Sequence, residues 1–269
     1  MRLIKAHALG NDFLLAAADQ LPPNAERATL ARAVCQRHRG IGADGLIFYT
    51  LTGSGAAMEL LNADGSYSEV SGNGVRCLAA WMAFASSRTS TEIEIATDAG
   101  VKRLTLLERS GSRYTFRAFM GEATNISRVS LDAAGERVDA VTLRVGNPQC
   151  VVLGKPTEAR LYTVARALAV HSHFPGGTNV ELAEVQAPDL VRILIWERGV
   201  GPTEASGTGA CAAAVAAHRY GGASNDVRVS SPGGTQRVEW LDDGLYLTGW
   251  AEVVAEATWI DRSPPEAAD

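Results

Sequence analysis

The chain has 269 residues, of which 46% are hydrophobic, and carries a formal net charge of -5. This length is enough for one large domain or two of ordinary size, each with its own core. The charge balance argues against a nucleic-acid partner, and no apolar run has the length of a secretory or membrane-spanning segment, so we expect a cytoplasmic protein with no membrane partner.

The first half of the chain alternates between strand and helix patterns. A strand-like run from Arg2 to Leu9 leads into a Gly10-Asn11 turn, and a helical stretch that includes residues 30–34 is predicted to end at Gly40. Ser71-Gly72-Asn73-Gly74 then opens an apolar helix, because serine is a favoured N-cap. Three strand candidates follow: Glu92 to Thr97, Val101 to Leu107 and Tyr114 to Ala118.

The second half repeats this order about 135 positions later. The helix start Ser206-Gly207-Thr208-Gly209 lies 135 positions after the one at Ser71. The other matching segments are 30–34 with 164–168, Gly10-Asn11 with Gly146-Asn147, 42–46 with 176–180, and 60–65 with 194–199. The predicted late strands are Val227 to Ser230, Gln236 to Leu241 and Leu245 to Thr248.

An ordered internal duplication predicts two copies of one α/β unit related by a pseudo-twofold axis. The helix through residues 210–217 is small and apolar on every side, which is typical of an enclosed helix. We therefore predict an α/β fold of two pseudosymmetric halves, each a curled mixed β-sheet around a central helix. The predicted halves are residues 1–118, completed by about 258–269, and residues 119–257.

The cysteines and histidines do not show metal-ligand spacing. The four cysteines lie in apolar or helical contexts, so we predict buried thiols and no metal site. The tail over residues 263–269 is predicted to be frayed and without function.

Three interpretations compete for the repeated helix starts. The first is capping alone. The second is dinucleotide binding, since residues 207–212 fit the pattern G-x-G-x-x-A, although this segment falls late and lacks the acidic residue expected after the next strand. The third is proton chemistry beside a carboxylate: exposed first-turn amides would hold a small anion and stabilise the charge that develops as the α-proton leaves.

Together the motifs resemble those of the diaminopimelate epimerase family, over nearly the whole chain. The segments that carry the resemblance are Gly10-Asn11-Asp12-Phe13, residues 39–44, residues 62–66, residues 72–77, Gly146-Asn147-Pro148, Asn179-Val180, residues 196–199, residues 207–210 and residues 231–234. The resemblance implies a cofactor-independent amino-acid epimerase that interconverts LL- and meso-diaminopimelate by proton transfer at the α-carbon. It also implies two α/β halves with the site in the cleft between them.

By that resemblance, the reacting carboxylate is held at the two helix starts by Gly72, Asn73, Gly207 and Thr208. The rest of the substrate pocket is lined by Asn11, Asn62, Asn147, Asn179, Glu197 and Arg198. These side chains suit a diamino diacid, because amides and a guanidinium bind carboxylates and a carboxylate binds ammonium. A small-molecule amino-acid substrate is thus implied, and a homodimer is allowed.

The sequence departs from the family at the chemistry itself. The family's two proton-transfer residues are cysteines, at the positions held here by Ser71 and Ser206. The histidine that assists one cysteine is replaced by Gln149. A serine hydroxyl is a far weaker acid than a thiol and normally needs an adjacent base, for which Glu197 is the candidate.

Three functions remain open at the level of sequence. The first is an epimerase of the diaminopimelate type that works with serines. The second is a one-base isomerase of the same fold that uses Glu197, as in related phenazine-pathway isomerases. The third is a protein that binds an amino acid without turnover.

Overall fold

The computed structural model describes residues 1–21, 26–85 and 91–260. The predicted frayed tail and most of the segment assigned to 258–269 lie outside these residues. No helix among the described residues is long and apolar enough to cross a membrane.

The first half of the chain contains eight strands and two α-helices within the described residues. The strands are β1 Arg2–Ala8, β2 Asn11–Ala17, β3 Gly45–Leu51, β4 Gly55–Asn62, β5 Tyr67–Ser68, β6 Glu92–Thr97, β7 Gly100–Ser110 and β8 Arg113–Gly121. The helices are α1 Arg27–Cys35 and α2 Gly72–Ala85, and a short 3₁₀ turn spans Ala18–Gln20. The three strands predicted between residues 92 and 118 are therefore confirmed.

The second half contains nine strands and three α-helical segments within the same described part. The strands are β9 Thr124–Ala133, β10 Glu136–Val145, β11 Asn147–Leu153, β12 Asn179–Ala187, β13 Leu190–Glu197, β14 Gly201–Thr203, β15 Asp226–Ser231, β16 Gly234–Leu241 and β17 Gly244–Thr258. The helices are α3 Glu158–Arg160, α4 Arg166–Ala169 and α5 Gly207–Tyr220, with a π-helical turn over Leu161–Ala165 between the first two.

Helix α1 is shorter than the sequence predicts, because it ends at Cys35 and not at Gly40. The chain folds back after the helix, and the backbone N–H groups of Gly40, Ile41 and Ala43 bond to the carbonyls of Gln36, Val34 and Cys35. Gly40 is still required there, since a Cβ at this position would lie 2.4 Å from the Ala33 carbonyl oxygen. Gly40 therefore lies in the turn after α1, packed closely against the carbonyl groups at the end of the helix.

The strand pairings follow the duplication. In the first half β1 and β2 form a hairpin, β2 runs parallel to β3, and β4 runs parallel to β6. In the second half β10 and β11 form the hairpin, β11 runs parallel to β12, and β13 runs parallel to β15. The repeated topology explains why the two helix starts occupy equivalent places.

Each half encloses one long helix in its own hydrophobic core. Helix α2 packs with Ile47, Phe116 and other residues of the first half, and α5 packs with Val151, Ile193 and other residues of the second. All residues of α5 from Gly209 to Ala217 are buried. The predicted fold class, two halves that each curl around a central helix, is confirmed.

Strand β17 belongs to both halves by its contacts. Its first part pairs with β16, its middle pairs with β8, and its last part pairs with β1 from Arg2↔Thr258 to His7↔Glu252. Ala251 and Val253 lie in the core around α2, whereas Leu245 and Leu247 lie in the core around α5. The division of the chain near residues 118 and 119 stays a prediction.

Candidate functional site at the two helix starts

The starts of α2 and α5 lie against each other at the junction of the two halves. Asn73, in the first turn of α2, donates a hydrogen bond from Nδ2 to the carbonyl of Ala205, the residue before Ser206, over 3.3 Å. The two Ser-Gly-x-Gly segments, 135 positions apart in sequence, are thus adjacent in space.

Both serines cap their helices. The backbone N–H of Gly74 donates to Ser71 Oγ over 3.1 Å, and that of Gly209 donates to Ser206 Oγ over 3.2 Å. Each cap satisfies one first-turn amide and leaves the others available, so an anion between the starts would meet two sets of donors and two partial positive charges.

The glycines after the serines differ in their surroundings. A Cβ added to Gly72 would meet no described atom within 4 Å, so a ligand can approach the backbone there. A Cβ on Gly207 would lie 3.1 Å from Leu247 Cδ2, and one on Gly209 would lie 2.5 Å from Glu181 Oε1. Thr208 is partly exposed in the first turn of α5.

The asparagines of the first half lie beside the α2 start. Asn73 Nδ2 also donates to Asn11 Oδ1 over 3.2 Å, and Asn11 Nδ2 donates to Asp44 Oδ2 over 2.8 Å. Asn62 bonds to Ser66 Oγ over 2.9 Å, and its neighbour Ala63 donates its N–H to the carbonyl of Asp44 over 2.9 Å. Asn62 therefore reaches the same edge of the sheet without bonding to the other asparagines.

A charged network holds the Asn11 turn in place. Asp12 accepts hydrogen bonds from Lys5 and from Arg37, and Arg37 also bonds to Asp44 Oδ1 over 2.7 Å. Burial opposes ionisation of Asp12, but the bonds from Arg37 and Lys5 prevail and lower its pKa to about 2. The carboxylate therefore stays charged at any pH of interest and fixes the turn.

A buried cation orients the Asn73 amide. Arg76 is 1% exposed and donates from Nη2 to Asn73 Oδ1, so that Nδ2 of the same amide faces Asn11 and Ala205. Desolvation lowers the pKa of Arg76 to about 10. No acidic side chain in residues 1–21, 26–85 and 91–260 forms an ion pair with it.

The predicted residues of the second half form a connected group on neighbouring strands. Gln149 Nε2 donates to Asn147 Oδ1 over 2.6 Å, and Gln149 lies opposite Asn179 in the parallel pair of β11 and β12. Asn179 Oδ1 accepts the backbone N–H of Arg198 over 2.9 Å. Arg198 itself donates from Nη1 to the Gly176 carbonyl over 2.9 Å.

Glu197 connects this group to the α5 start. Burial raises the pKa of its carboxyl group, while the hydroxyl of Ser206, which faces it, acts in the opposite direction. The charge of Asp44, from the first half, raises the pKa further. A carboxyl group with a raised pKa beside Ser206 is a suitable proton acceptor near neutral pH.

The structure thus brings most of the predicted residues together, in two clusters that meet at Asn73, Ala205 and Ser206. Sequence reasoning missed three contributors: Asp12, Arg76 and Glu181. Glu181 could have been found from its spacing, because it lies two residues after Asn179 on a strand and so shares its face of the sheet.

Two cavities, of about 390 Å³ and about 500 Å³, lie elsewhere. Neither is lined by a predicted site residue, and the candidate site remains the junction of the two helix starts with Glu181 and Glu197 beside it. All four cysteines are buried and free, as predicted. Within the described part of the chain, no cluster of three His, Cys, Asp or Glu side chains could hold a metal ion.

Solved structures with the same fold include a probable proline racemase and a phenazine biosynthesis protein. A probable proline racemase from Agrobacterium radiobacter matches with a TM-score of 0.73 at 17% identity, covering 99% of this chain and 94% of that one. A phenazine biosynthesis protein of the PhzF family from Bacillus anthracis matches with a TM-score of 0.71 at 13% identity, covering 97% and 99%. At these identities the likeness shows the fold alone: a class of α/β proteins with two similar halves.

The sequence comparisons specify the family within that class. The family model described as diaminopimelate epimerase matches residues 3–126 and 141–254. The diaminopimelate epimerase of Desulforudis audaxviator is 40% identical, over 97% of this chain and 99% of that protein. The chain belongs to the diaminopimelate epimerase family, which confirms the resemblance drawn from the motifs.

Proposed function

We propose that this protein is a cofactor-independent amino-acid epimerase of the diaminopimelate type, interconverting LL- and meso-diaminopimelate by proton transfer at the α-carbon. The observation that carries the proposal is the contact between the two capped helix starts through Asn73 and Ala205. Such a junction offers the backbone donors that a reacting α-carboxylate needs, with one serine at each start.

The residues around the junction match the charges of this substrate. The amides after Gly72 and Gly207, with Asn73 and Thr208, would hold the reacting carboxylate. Arg198 and the amide groups of Asn11, Asn62, Asn147 and Asn179 would bind the distal carboxylate and ammonium, with Glu197 as counter-ion for an ammonium. As the proton leaves, the electron pair of the C–H bond passes into the carboxylate, where the donors stabilise it.

Ser71 and Ser206 lie where proton transfer would occur. The low acidity of their hydroxyls determines the expected rate of epimerisation. A thiol with a pKa of about 8.5 needs roughly 2 kcal/mol to ionise at pH 7, which a helix start can offset. A serine hydroxyl is far less acidic, and Gln149 cannot act as its base. We therefore expect slow turnover in the natural chain.

Solvent deuterium exchange at the α-carbon of diaminopimelate tests the proposal. Slow exchange with inversion is expected for the natural protein. The double variant S71C/S206C should raise the rate by about 10²–10⁴-fold, the usual worth of a well-placed acid–base pair. The matched control S172C adds a thiol on an exposed segment and should leave the rate unchanged. If the double variant neither exchanges label nor binds diaminopimelate better than unrelated amino acids, the substrate assignment is wrong.

A one-base isomerase is the second candidate, and a specific observation favours it. Glu197 is a half-buried residue whose carboxyl group has a raised pKa, and the Ser206 hydroxyl faces it. Glu197 would remove the α-proton and return it on the same face, which gives exchange without inversion. E197Q should then abolish exchange, whereas S71A on the other face should not.

Binding without turnover is the remaining outcome of the same assay: a thermal shift with diaminopimelate and no exchange in the natural protein or in S71C/S206C.

We further propose that the protein is a cytoplasmic homodimer. Light scattering during size-exclusion chromatography tests the homodimer by measuring its mass.

A further inference from the structure

Glu181 is the most unusual buried group of the site, and the proposed function does not use it. Its side chain is 0% exposed, and neither carboxyl oxygen has a hydrogen-bond partner among the described residues. An ionised carboxylate without partners is very costly in such surroundings, so a group of this kind takes up a proton instead.

The strand registers place Glu181 under the first turn of α5. It lies opposite Val151 on β11 and opposite Ile195 on β13, and both of these pack in the core around α5. Its Oε1 lies 2.5 Å from the position that a Cβ on Gly209 would occupy, and the Ser206 Cβ lies 3.2 Å from the same point. Glu181 therefore lies directly beside the N-cap serine.

Two carboxyl groups thus share this face of the sheet. Ile195 lies opposite Glu181, and Glu197 lies two residues further along β13, so the two glutamates occupy diagonal positions on the same face. The charge of Glu197 acts on Glu181 and adds to the effect of burial in raising the Glu181 pKa. Burial raises the pKa of the neighbouring Cys150 thiol on β11, and the first turn of α5 carries no acidic residue.

We propose that Glu181 is a positioning residue of the proton-transfer site: it stays un-ionised beneath Ser206 and leaves Glu197 as the single negative charge on this face. This inference rests on the proposed function and extends it to the state of the second carboxyl group. The Ser206 hydroxyl opposes the effect of burial on the Glu197 carboxyl group, whereas neither oxygen of Glu181 has a hydrogen-bond partner, so Glu181 is the group that keeps its proton.

In this arrangement only one of the two glutamates, Glu197, takes part in the proton transfer. When the Ser206 oxygen takes the α-proton, the C–H bond breaks, its electron pair passes into the substrate carboxylate, and the hydroxyl proton of Ser206 moves to Glu197, where it forms an O–H bond. The Glu181 proton takes no part in the transfer. If Glu181 were ionised instead, the site would hold two adjacent carboxylates, and the bound anionic substrate would add a third negative group.

The first test needs no substrate and follows thermal melting against pH. An un-ionised Glu181 favours the folded state below the pKa of an unfolded glutamate, about 4.3, and this stabilisation is lost as pH rises towards its raised folded value. The melting temperature of E181Q, which keeps the size without the acid, should therefore gain on that of the natural protein as pH rises. E184Q, a partly exposed glutamate on the same strand, controls for loss of a glutamate.

Infrared spectroscopy at neutral pH gives the direct readout. The natural protein should show the carbonyl band of an un-ionised carboxylic acid, and E181Q should lack it. A melting difference that is constant with pH, together with an absent band, overturns the proposal.

The second test uses the α-proton exchange assay. Glutamine is uncharged like the un-ionised acid, so E181Q should keep the exchange rate within about threefold, whereas E181D, whose shorter carboxyl group leaves a gap beside Gly209, should lose at least tenfold. Equal losses in E181Q and E181D would overturn the positioning role. If the natural protein and S71C/S206C show no exchange at all, the proposed function fails, and the infrared band still decides whether Glu181 is un-ionised.

Discussion

At the scale of single residues, the site depends on polar groups whose state is set by burial. Ser71 and Ser206 are caps, and a serine hydroxyl needs an adjacent base for proton transfer, which Glu197 offers to Ser206. The asparagine at 73 is held by a buried arginine that the family motif includes but whose role the motif does not explain. The sequence was enough to select the candidate site residues, but it could not identify their hydrogen-bond partners.

Asp12 provides a prediction at this scale. Because its pKa is lowered to about 2, its stabilisation is fully present above the unfolded pKa of about 3.9 and is lost as pH falls through about 2. D12N should therefore lower the free energy of unfolding by about 2 kcal/mol at neutral pH, and the deficit should shrink between about pH 4 and pH 2. Urea unfolding at several pH values measures this.

The control for D12N is D19N, a change at an exposed aspartate, which should have little effect. A D12N deficit that does not change with pH would show that the Lys5–Asp12–Arg37 network does not depend on the charge of Asp12.

At the scale of elements, the two helix starts are equivalent in sequence but not in packing. At the α2 start there is open space beside Gly72, whereas at the α5 start the Glu181 side chain packs closely against Gly209. The sequence indicated both helices and their caps, because serine and glycine have strong local preferences. It could not indicate which glycine is required by a ligand and which by a neighbouring strand.

The variants G72A and G209A separate these two requirements. Alanine at Gly72 meets no described atom within 4 Å and favours the helix, so stability should be unchanged or rise by up to about 1 kcal/mol while binding of diaminopimelate weakens. Alanine at Gly209 collides with Glu181 Oε1, so we expect a loss of about 1–3 kcal/mol.

Calorimetric titration and thermal melting measure the two effects. Unchanged diaminopimelate binding in G72A would remove the α2 start from the proposed carboxylate site. A fully stable G209A would mean that the Glu181 side chain moves freely.

At the scale of the whole molecule, the two halves are joined by continuous strand pairing. β8 pairs with β17 from Gly121↔Leu245 to Arg113↔Glu252, and β17 continues into its pairing with β1. Because each core includes residues from this one strand, we expect the halves to unfold together.

A matched pair of core variants tests this coupling. Ile47 lies in the core around α2 and Ile193 in the core around α5, and both are buried. I47A and I193A should each lower the stability of the same single transition by about 2–5 kcal/mol. Differential scanning calorimetry would contradict the expectation if it resolved two transitions, each shifted by only one of the variants.

The sequence by itself determined the duplication, the two enclosed helices, their serine caps and the family. The helices and their caps follow from residue preferences that act over a few positions. The duplication and the family follow from motifs that recur at a fixed spacing along the chain. It also showed that serine and glutamine replace the expected thiols and histidine.

Only the tertiary structure decided which groups meet and which of them are charged. The contact of Asn73 with Ala205, the burial of Glu181 beneath α5 and the division of β17 between the halves all join residues far apart in the chain. Burial and electrostatic interaction depend on distance in space, and a pKa depends on both, so no local pattern in the sequence could reveal them.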